Sequence, residues 1–253
     1  MTRIIAIANQ KGGVAKTTTA VNLSACLAEL GKRILLVDLD PQGNATSGVG
    51  IQKNKLNQCI YNVLIDNVPI ETVIQKTELK NLQVIPARIQ LAGAEIELVS
   101  QLSRENILKE SLKGLAEDYD FIFIDCPPSL GLLTLNGLTA ASDVLIPIQC
   151  EYYALEGLTL LMNTLEMVRK HLNPKLNIFG VLLTMFDART NLSIQVVDEV
   201  KKYFRQKVFK TIVPRTVRLG EAPSFGKPIV LYDGRSRGAE VYRDLAQEVL
   251  ERV

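Results

Sequence analysis

A glycine-rich turn, residues 9 to 18, separates an apolar run from an amphipathic stretch. The run is Arg3-Ile4-Ile5-Ala6-Ile7-Ala8, the turn is Asn9-Gln10-Lys11-Gly12-Gly13-Val14-Ala15-Lys16-Thr17-Thr18, and the stretch that follows stops at Gly31. Glycines let successive backbone N–H groups point at one anion, and a helix N-terminus adds the positive end of its dipole. A strand, a glycine turn, Lys-Thr and a helix in this order predict a phosphate-binding loop. Lys16 is expected to reach the β- and γ-phosphates, and the Thr17 hydroxyl to hold Mg²⁺.

The turn departs from the usual G-x-x-x-x-G-K-[ST] pattern at both of its glycines. Gln10 stands at the first of these positions and Ala15 at the second. The sequence instead matches a deviant form, K-G-G-x-x-K-T-T, which has an additional lysine, Lys11, at its start. The structural alternative is a lysine-bearing tight turn between a strand and a helix. A basic residue in a phosphate cradle favours the functional interpretation.

Composition and residue spacing exclude several classes of protein. Hydrophobic residues make up 47% of the chain, enough for a buried core, but no apolar run approaches the about 20 uncharged residues of a membrane span. The first apolar run starts at Arg3, so we expect no signal peptide. Four cysteines without C-x-x-C spacing indicate core residues in a reducing compartment. The single histidine, His171, excludes His-based metal sites and Ser-His-Asp chemistry.

Two further apolar runs end in aspartates. Run 34–37 leads into a turn-rich segment that contains Asp40, and run 121–124 leads directly to Asp125. Open α/β sheets place ligand chemistry at the carboxyl ends of their strands, so both carboxylates are expected beside the phosphate loop. Asp125 is the carboxylate expected to serve Mg²⁺, usually through water. The structural alternatives are a helix N-cap for Asp40 and a buried capping group for Asp125.

Apolar runs alternate with amphipathic stretches along the whole chain. We predict strands at 3–8, 33–38, 82–86, 121–125, 144–148, 178–185 and 208–213, and helices at 16–30, 90–118, 130–141, 155–171, 192–206 and from about Ala239, with short helices within 51–80. This alternation predicts an α/β fold, a mainly parallel twisted sheet with helices on both faces. No linker, repeat or low-complexity tract interrupts it, so residues 1–253 are interpreted as a single P-loop NTPase domain.

These stretches resemble the chromosomal branch of the ParA (Soj-type) family of partition ATPases, within the deviant Walker A class. The resemblance runs from Arg3 to Val253. Its markers are Lys11-Gly12-Gly13 with Lys16-Thr17-Thr18, Asp38-Leu39-Asp40-Pro41-Gln42-Gly43-Asn44, Asp125-Cys126-Pro127-Pro128-Ser129, Gln149-Cys150-Glu151-Tyr152-Tyr153-Ala154-Leu155-Glu156-Gly157, Leu183-Thr184-Met185, and Pro214-Arg215 running into Glu221-Ala222-Pro223-Ser224. The glycine loop alone indicates the superfamily, whereas the 149–157 marker and the last one indicate this branch.

The resemblance implies an ATP-driven dimer switch with weak Mg²⁺-dependent ATP hydrolysis. Two monomers each bind ATP and close face to face, and Lys11 of each reaches the phosphates bound by the other. A cation delivered in this way couples dimerisation to charge stabilisation at the transferred phosphoryl group. Lys11, Lys16 and Asp40 are the implied catalytic residues, with Asp40 orienting the attacking water. Thr17, Asp40 and Asp125 are the implied residues for Mg²⁺.

The same resemblance implies which residues bind ATP. They are Lys11, Gly12, Gly13, Val14, Ala15, Lys16, Thr17 and Thr18 of the loop, with Met185, Pro214 and Arg215 lining the adenine pocket. Core and loop roles are the structural alternatives for Met185 and Pro214. Family members normally carry glycine at position 15, so Ala15 is a departure. If the loop requires a positive φ there, strain of about 1 kcal/mol or more is expected, with altered ATP binding, dimerisation or hydrolysis.

The family's dimer binds double-stranded DNA without sequence preference, and its second partner is a ParB-type centromere-binding protein that stimulates hydrolysis. A net charge of only +2 requires a local basic patch. Arg189 and Arg218 are the principal DNA-binding candidates. Further candidates are Lys201, Lys202, Arg205, Lys207, Lys210, Lys227, Arg235 and Arg237. A replication-initiation protein is a further candidate partner, and the expected location is the cytoplasm, at the nucleoid.

Two other classes share the loop. A MinD-type division-site ATPase would bind membranes through a basic C-terminal amphipathic helix, but residues 242–253 have a largely acidic polar face. A metabolic ligase of the dethiobiotin-synthetase kind would turn ATP over only with its small-molecule substrate present. A reductase like the nitrogenase iron protein would need a cluster-binding cysteine pair, and Cys126 and Cys150 lack the expected glycine-rich surroundings.

Overall fold

Eight strands form one sheet in the computed structural model, which describes residues 2–115, 117–151 and 156–253. The strands are β1 (Arg3–Ile7), β2 (Ile34–Asp38), β3 (Gln75–Lys76), β4 (Leu82–Ile85), β5 (Phe121–Asp125), β6 (Asp143–Gln149), β7 (Asn177–Phe186) and β8 (Val208–Pro214). Their order is β3-β4-β2-β5-β1-β6-β7-β8, and only β3 runs antiparallel to its neighbour. The predicted α/β fold with a mainly parallel sheet is confirmed.

Helices cover both faces of this sheet. They are α1 (Lys16–Glu29), α2 (Asn44–Gly48), α3 (Ile60–Ile65), α4 (Leu91–Glu97), α5 (Ile107–Leu112), α6 (Leu132–Ala140), α7 (Glu156–His171), α8 (Asn191–Phe204), α9 (Val217–Glu221), α10 (Ile229–Tyr232) and α11 (Arg237–Glu251). One face packs against α1, α2 and α9–α11, and the other against α3–α8. Strand β1 supplies both cores alternately, with Ile5 and Ile7 on the first face and Ala6 and Ala8 on the second.

One predicted helix is wrong. Residues 90–118 do not form a continuous helix but two short ones, α4 and α5, each followed by a 3-10 turn. Ser103 adopts a positive φ of 52° between them, and Leu102 is 95% exposed. An apolar periodicity that spans a chain reversal mimics a long amphipathic helix, because spacing alone does not reveal the break. Residues 152–155, which belong to the 149–157 marker, lie outside the described residues.

The strand order places the glycine turn at the centre of the carboxyl edge of the sheet. β1 lies between β5 and β6, so the turn that follows β1 lies beside the end of β5. The register pairs Ile7 with Asp125 and Asp38 with Asp125. The loop and two aspartates therefore meet at one level of the sheet. In the described part of the chain, no helix has the length and apolar character needed to cross a membrane.

Candidate nucleotide and magnesium site

The glycine turn is fixed near both ends by hydrogen bonds to other strands, one from its own Asn9 side chain and one from the Thr184 side chain of β7. The amide of Asn9 donates to the Pro147 carbonyl at 2.7 Å, and its oxygen accepts from the Lys11 N–H at 3.0 Å. The Thr184 hydroxyl donates to the Val14 carbonyl at 3.1 Å. The residues joined by these hydrogen bonds are buried, except Lys11, which is partly exposed. Sequence reasoning did not assign a site role to Asn9 or Thr184, because their partners are distant in the chain.

Lys16 is the buried cation of the loop. Its ammonium donates to the Lys11 carbonyl at 2.9 Å, which holds the side chain back across the turn. Burial lowers the pKa of Lys16, while the Asp125 and Asp40 carboxylates act in the opposite direction. The structure thus brings together three residues that sequence reasoning assigned to one site.

The loop backbone presents an open face. A Cβ atom added at Gly12 or Gly13 would meet no other atom within 4 Å, and Gly13 has a φ of +75°. Ala15 caps α1 in the left-handed region, with φ 65° and ψ 32°, and its carbonyl accepts from the Thr19 N–H at 2.9 Å. The sequence hypothesis expected strain at Ala15 if its φ is positive. The structure meets this condition.

Asp125 is fully buried, and within the described residues neither of its carboxylate oxygens accepts a hydrogen bond. Burial, and then the nearby Asp38 carboxylate, raise its pKa well above the usual range, and the Thr17 hydroxyl acts in the opposite direction. A buried, unpartnered carboxylate beside a hydroxyl fits a hard cation that prefers oxygen ligands. The residues present therefore fit Mg²⁺ at Thr17 and Asp125, which would neutralise phosphate charge there.

Asp40 lies half-buried in a loop held by Asp38. The Asp40 N–H donates to Asp38 Oδ1 at 3.1 Å, and Asp40 Oδ1 accepts from the Gln42 N–H at 2.9 Å. Burial raises the pKa of Asp38 to about 6 against three hydrogen bonds that lower it. Sequence reasoning gave Asp38 no role, although its position at the end of an apolar strand, two residues before Asp40, is a readable signal. The turn-forming residues after Asp40 form a short loop that leads into α2, which starts at Asn44.

The three candidates for the adenine pocket lie at the ends of β7 and β8. Met185 has a positive φ of 52°, and Pro214 pairs with Phe186. The Arg215 N–H donates to the Phe186 carbonyl at 3.1 Å, and its guanidinium contacts Glu151 at 2.6 Å. The structure therefore brings these three candidates together at the ends of neighbouring strands. In the sheet, β7 is the second strand from β1 and β8 is the third.

A cavity of about 270 Å³ opens beside Thr17 and Thr18. It lies between α1, α2 and the segment after α9. Its other lining residues are Val21, Asn22, Asn44, Ser47, Gly48, Ala222, Pro223 and Lys227. Sequence reasoning missed this cavity, because its wall opposite α1 comes from short elements that carry no periodic signal.

Arg189 and Arg218 lie on the surface and form ion pairs. Arg189, 88% exposed at its side chain, contacts Asp187 at 2.7 Å. Arg218 contacts Glu221 at 3.0 Å and Asp233 at 3.4 Å. Both arginines are accessible, and acidic neighbours offset the charge of each.

A strand, an open glycine turn and a helix at the centre of a parallel sheet, with Lys16, Thr17 and a fully buried Asp125, define a P-loop ATPase of the deviant Walker A class. The AAA domain family matches residues 2–178. Sporulation initiation inhibitor protein Soj of Bacillus subtilis is 67% identical over 249 residues, which cover 98% of each chain. Chromosome partitioning protein ParA of Myxococcus xanthus is 58% identical over 250 residues, 99% of this chain and 88% of that relative.

A crystal structure of cobyrinic acid a,c-diamide synthase from Mycobacterium smegmatis, with bound ADP and magnesium, is 42% identical and has a TM-score of 0.87. The superposition covers 99% of this chain and 95% of that one. The chain belongs to the ParA/Soj-type family of P-loop ATPases. Its activity is ATP hydrolysis, with ATP and Mg²⁺ as substrate and cofactor.

Proposed function

We propose that this ATPase is a dimerising switch that binds DNA when ATP is bound and acts in chromosome partition. The observation that carries the proposal is a second lysine, Lys11, in a loop that already has Lys16 for its own phosphates. Lys16 lies buried and donates to the Lys11 carbonyl at 2.9 Å, so the loop has its own lysine for the phosphates it binds. Lys11, partly exposed at the start of the loop, is the second lysine, and we assign it to the nucleotide of a second copy.

Each side chain of the site is assigned one part of the proposed chemistry. Lys16 and Lys11 stabilise the charge that develops on the transferred phosphoryl group, from within the same subunit and from the other one. Asp40 orients the attacking water, and Thr17, Asp40 and Asp125 serve Mg²⁺. Met185, Pro214 and Arg215 line the adenine pocket. Loss of the γ-phosphate removes the target of Lys11 and separates the dimer.

DNA binding is assigned to the exposed arginines Arg189 and Arg218. Their guanidinium groups would exchange carboxylate partners for backbone phosphates, without reading base sequence. A dimer carries Arg189 and Arg218 twice, so four guanidinium groups can contact one duplex. Dimerisation therefore strengthens DNA binding and brings the protein to the nucleoid. A ParB-type protein is the partner that stimulates ATP hydrolysis and thereby releases the ATP-bound dimer from DNA. A replication-initiation protein is a further partner of the switch.

The experiment that tests the proposal is a DNA mobility shift at low salt with ATP, ADP or no nucleotide. We expect a shift with ATP and none in the other two states. Equal binding in all three states would contradict a nucleotide-gated switch. If no state binds DNA, the assay is repeated with Ala15→Gly. Binding that returns with glycine means that Ala15 impairs the loop, whereas continued absence of binding means that DNA is not the partner.

The C-terminal helix does not support a membrane role. The apolar residues of α11, among them Val241, Leu245 and Val249, are buried against α1 and β8. A membrane-binding helix must expose that face. Sedimentation with vesicles of anionic phospholipid is therefore expected to leave the protein in the supernatant in every nucleotide state.

A second candidate function is an amide-forming ligase, favoured by the name of the 42% identical synthase. An enzyme of that kind would hydrolyse ATP only when a carboxylic acid and an amine donor are present. ATP turnover by the protein alone, accelerated by DNA and a ParB-type protein, would exclude it.

A further inference from the structure

The loop that carries Asp40 is closed at both ends by one buried carboxylate. Asp38 Oδ1 accepts the N–H of Asp40 at 3.1 Å, and Asp38 Oδ2 accepts the N–H of Thr46 at 2.8 Å. Asp38 therefore joins the start of the loop to the first turn of α2, eight residues later. The position of Asp40 depends on where this carboxylate lies.

Thr46 sets that position through its hydroxyl. This hydroxyl accepts the N–H of Ala87 at 2.9 Å, and its single proton is then donated to Asp38 Oδ2 at 2.7 Å. Thr46, Asp38 and Ala87 are all fully buried, so water does not replace either bond. Ala87 follows β4, the strand beside β2, and the Thr46 hydroxyl thereby ties the Asp38 carboxylate to the neighbouring strand.

The tip of the loop has little freedom of its own. Gly43 adopts a φ of +62°, and a Cβ there would lie 2.8 Å from the Ala87 carbonyl oxygen. The Lys53 ammonium donates to the Gln42 carbonyl at 2.7 Å. The backbone between Asp38 and Thr46 is therefore held at its tip as well as at its base, and a shift at the base moves Asp40 with it.

We propose that Thr46 is a positioning residue for ATP hydrolysis, whose hydroxyl fixes the Asp38 carboxylate and through it the place of Asp40. The inference rests on the proposed role of Asp40. It requires the hydroxyl and not merely the volume of the side chain. Thr46→Ser keeps the hydroxyl, whereas Thr46→Val keeps the volume and loses both hydrogen bonds.

The test compares Thr46→Val, Thr46→Ser and Asp40→Ala, with Ser47→Ala as matched control. The Ser47 hydroxyl belongs to the same helix turn but donates only to the Gly43 carbonyl. Three quantities are measured: kcat and KM for Mg-ATP hydrolysis, thermal unfolding, and hydrogen–deuterium exchange of residues 38–47 without nucleotide. For Thr46→Val we expect kcat to fall about tenfold or more at a nearly unchanged KM, with faster exchange at the Asp40 and Thr46 amides. Thr46→Ser and Ser47→Ala should stay near the parent protein in all three.

Three outcomes would overturn the inference. They are an unchanged kcat in Thr46→Val, an equal loss in Thr46→Ser, or unaltered exchange of the loop amides. Should Thr46→Val not fold, Thr46→Cys takes its place, since a thiol of similar size is a weaker donor and is expected to give an intermediate kcat. Hydrolysis that survives in Asp40→Ala would instead contradict the proposed role of Asp40, so the two failures are distinguishable.

Discussion

Asp38 and Asp125 lie opposite each other on parallel strands, and both are fully buried. Among the residues that the structure describes, only Asp38 of the two has hydrogen-bond donors on its carboxylate. Its donors are the Thr46 N–H, the Thr46 hydroxyl and the Asp40 N–H. Asp125 accepts none from the described residues. The two carboxylates therefore have different tasks: Asp38 holds the Asp40 loop, and Asp125 faces the site that suits a cation.

Asp125→Asn should stabilise the nucleotide-free protein while weakening its response to Mg-ATP. Burial and the Asp38 carboxylate raise the pKa of Asp125, so at neutral pH this carboxyl group lowers the free energy of unfolding, and a neutral amide removes that penalty. We expect the free energy of unfolding to rise in the absence of nucleotide, by less than the full penalty because Asp125 also acts favourably on the buried Lys16. Thermal unfolding with and without Mg-ATP measures both effects. A lower melting temperature without nucleotide would contradict the assignment.

Ala15→Gly should relieve backbone strain at the start of α1. The residue has a φ of 65°, where an alanine costs about 1 kcal/mol relative to the right-handed region. We expect a melting temperature higher by a few degrees, together with a changed ATPase rate or dimer fraction. Ala28→Gly, at an ordinary helical position of α1, is the control and should lower the melting temperature. An unchanged ATPase rate and dimer fraction in Ala15→Gly would rule out a functional effect of Ala15.

Local sequence was sufficient for the parts of the site that lie directly at strand ends. Lys16 and Thr17 begin the helix that follows β1, and Asp125 is the last residue of β5, so parallel strands carry them to one edge of the sheet. Asn9, Thr46 and Thr184 each bond to a residue far away in the chain, namely Pro147, Ala87 and Val14, and no local pattern indicates these contacts. The helix predicted for 90–118 failed for the same reason, because the break near Ser103 depends on packing and not on periodicity.

Arg189→Ala and Arg218→Ala should each weaken DNA binding to the same extent on every sequence. A phosphate contact contributes through counterion release, so the slope of log K against log salt should fall by about 1 for each arginine lost from the interface. Fluorescence anisotropy on two unrelated duplexes with ATP, over a range of salt, measures affinity and slope. A sequence-dependent loss, or no loss, would contradict the assignment.

Glu221→Gln should strengthen DNA binding. The Glu221 carboxylate accepts from both Arg218 and Tyr232, and removing its charge leaves Asp233 as the remaining acidic neighbour of Arg218. We expect affinity about two- to threefold higher at low salt and nearly equal at high salt, because the effect is electrostatic. Glu110→Gln, in the exposed pair with Lys113, is the control and should leave affinity unchanged. Equal gains in both variants would mean that only net charge matters.

The role of Lys11 across a dimer is the central claim, and particle mass tests it most directly. Light scattering after size exclusion is measured on Asp40→Ala, in which loss of the proposed water-orienting carboxylate should slow hydrolysis and so preserve ATP, and on the double variant Lys11→Ala/Asp40→Ala. With ATP we expect twice the monomer mass of 28.0 kDa for the first protein and the monomer mass for the second, with ATP affinity measured in both. A double variant that still dimerises with ATP, or a single variant that stays monomeric while binding ATP, would contradict the account.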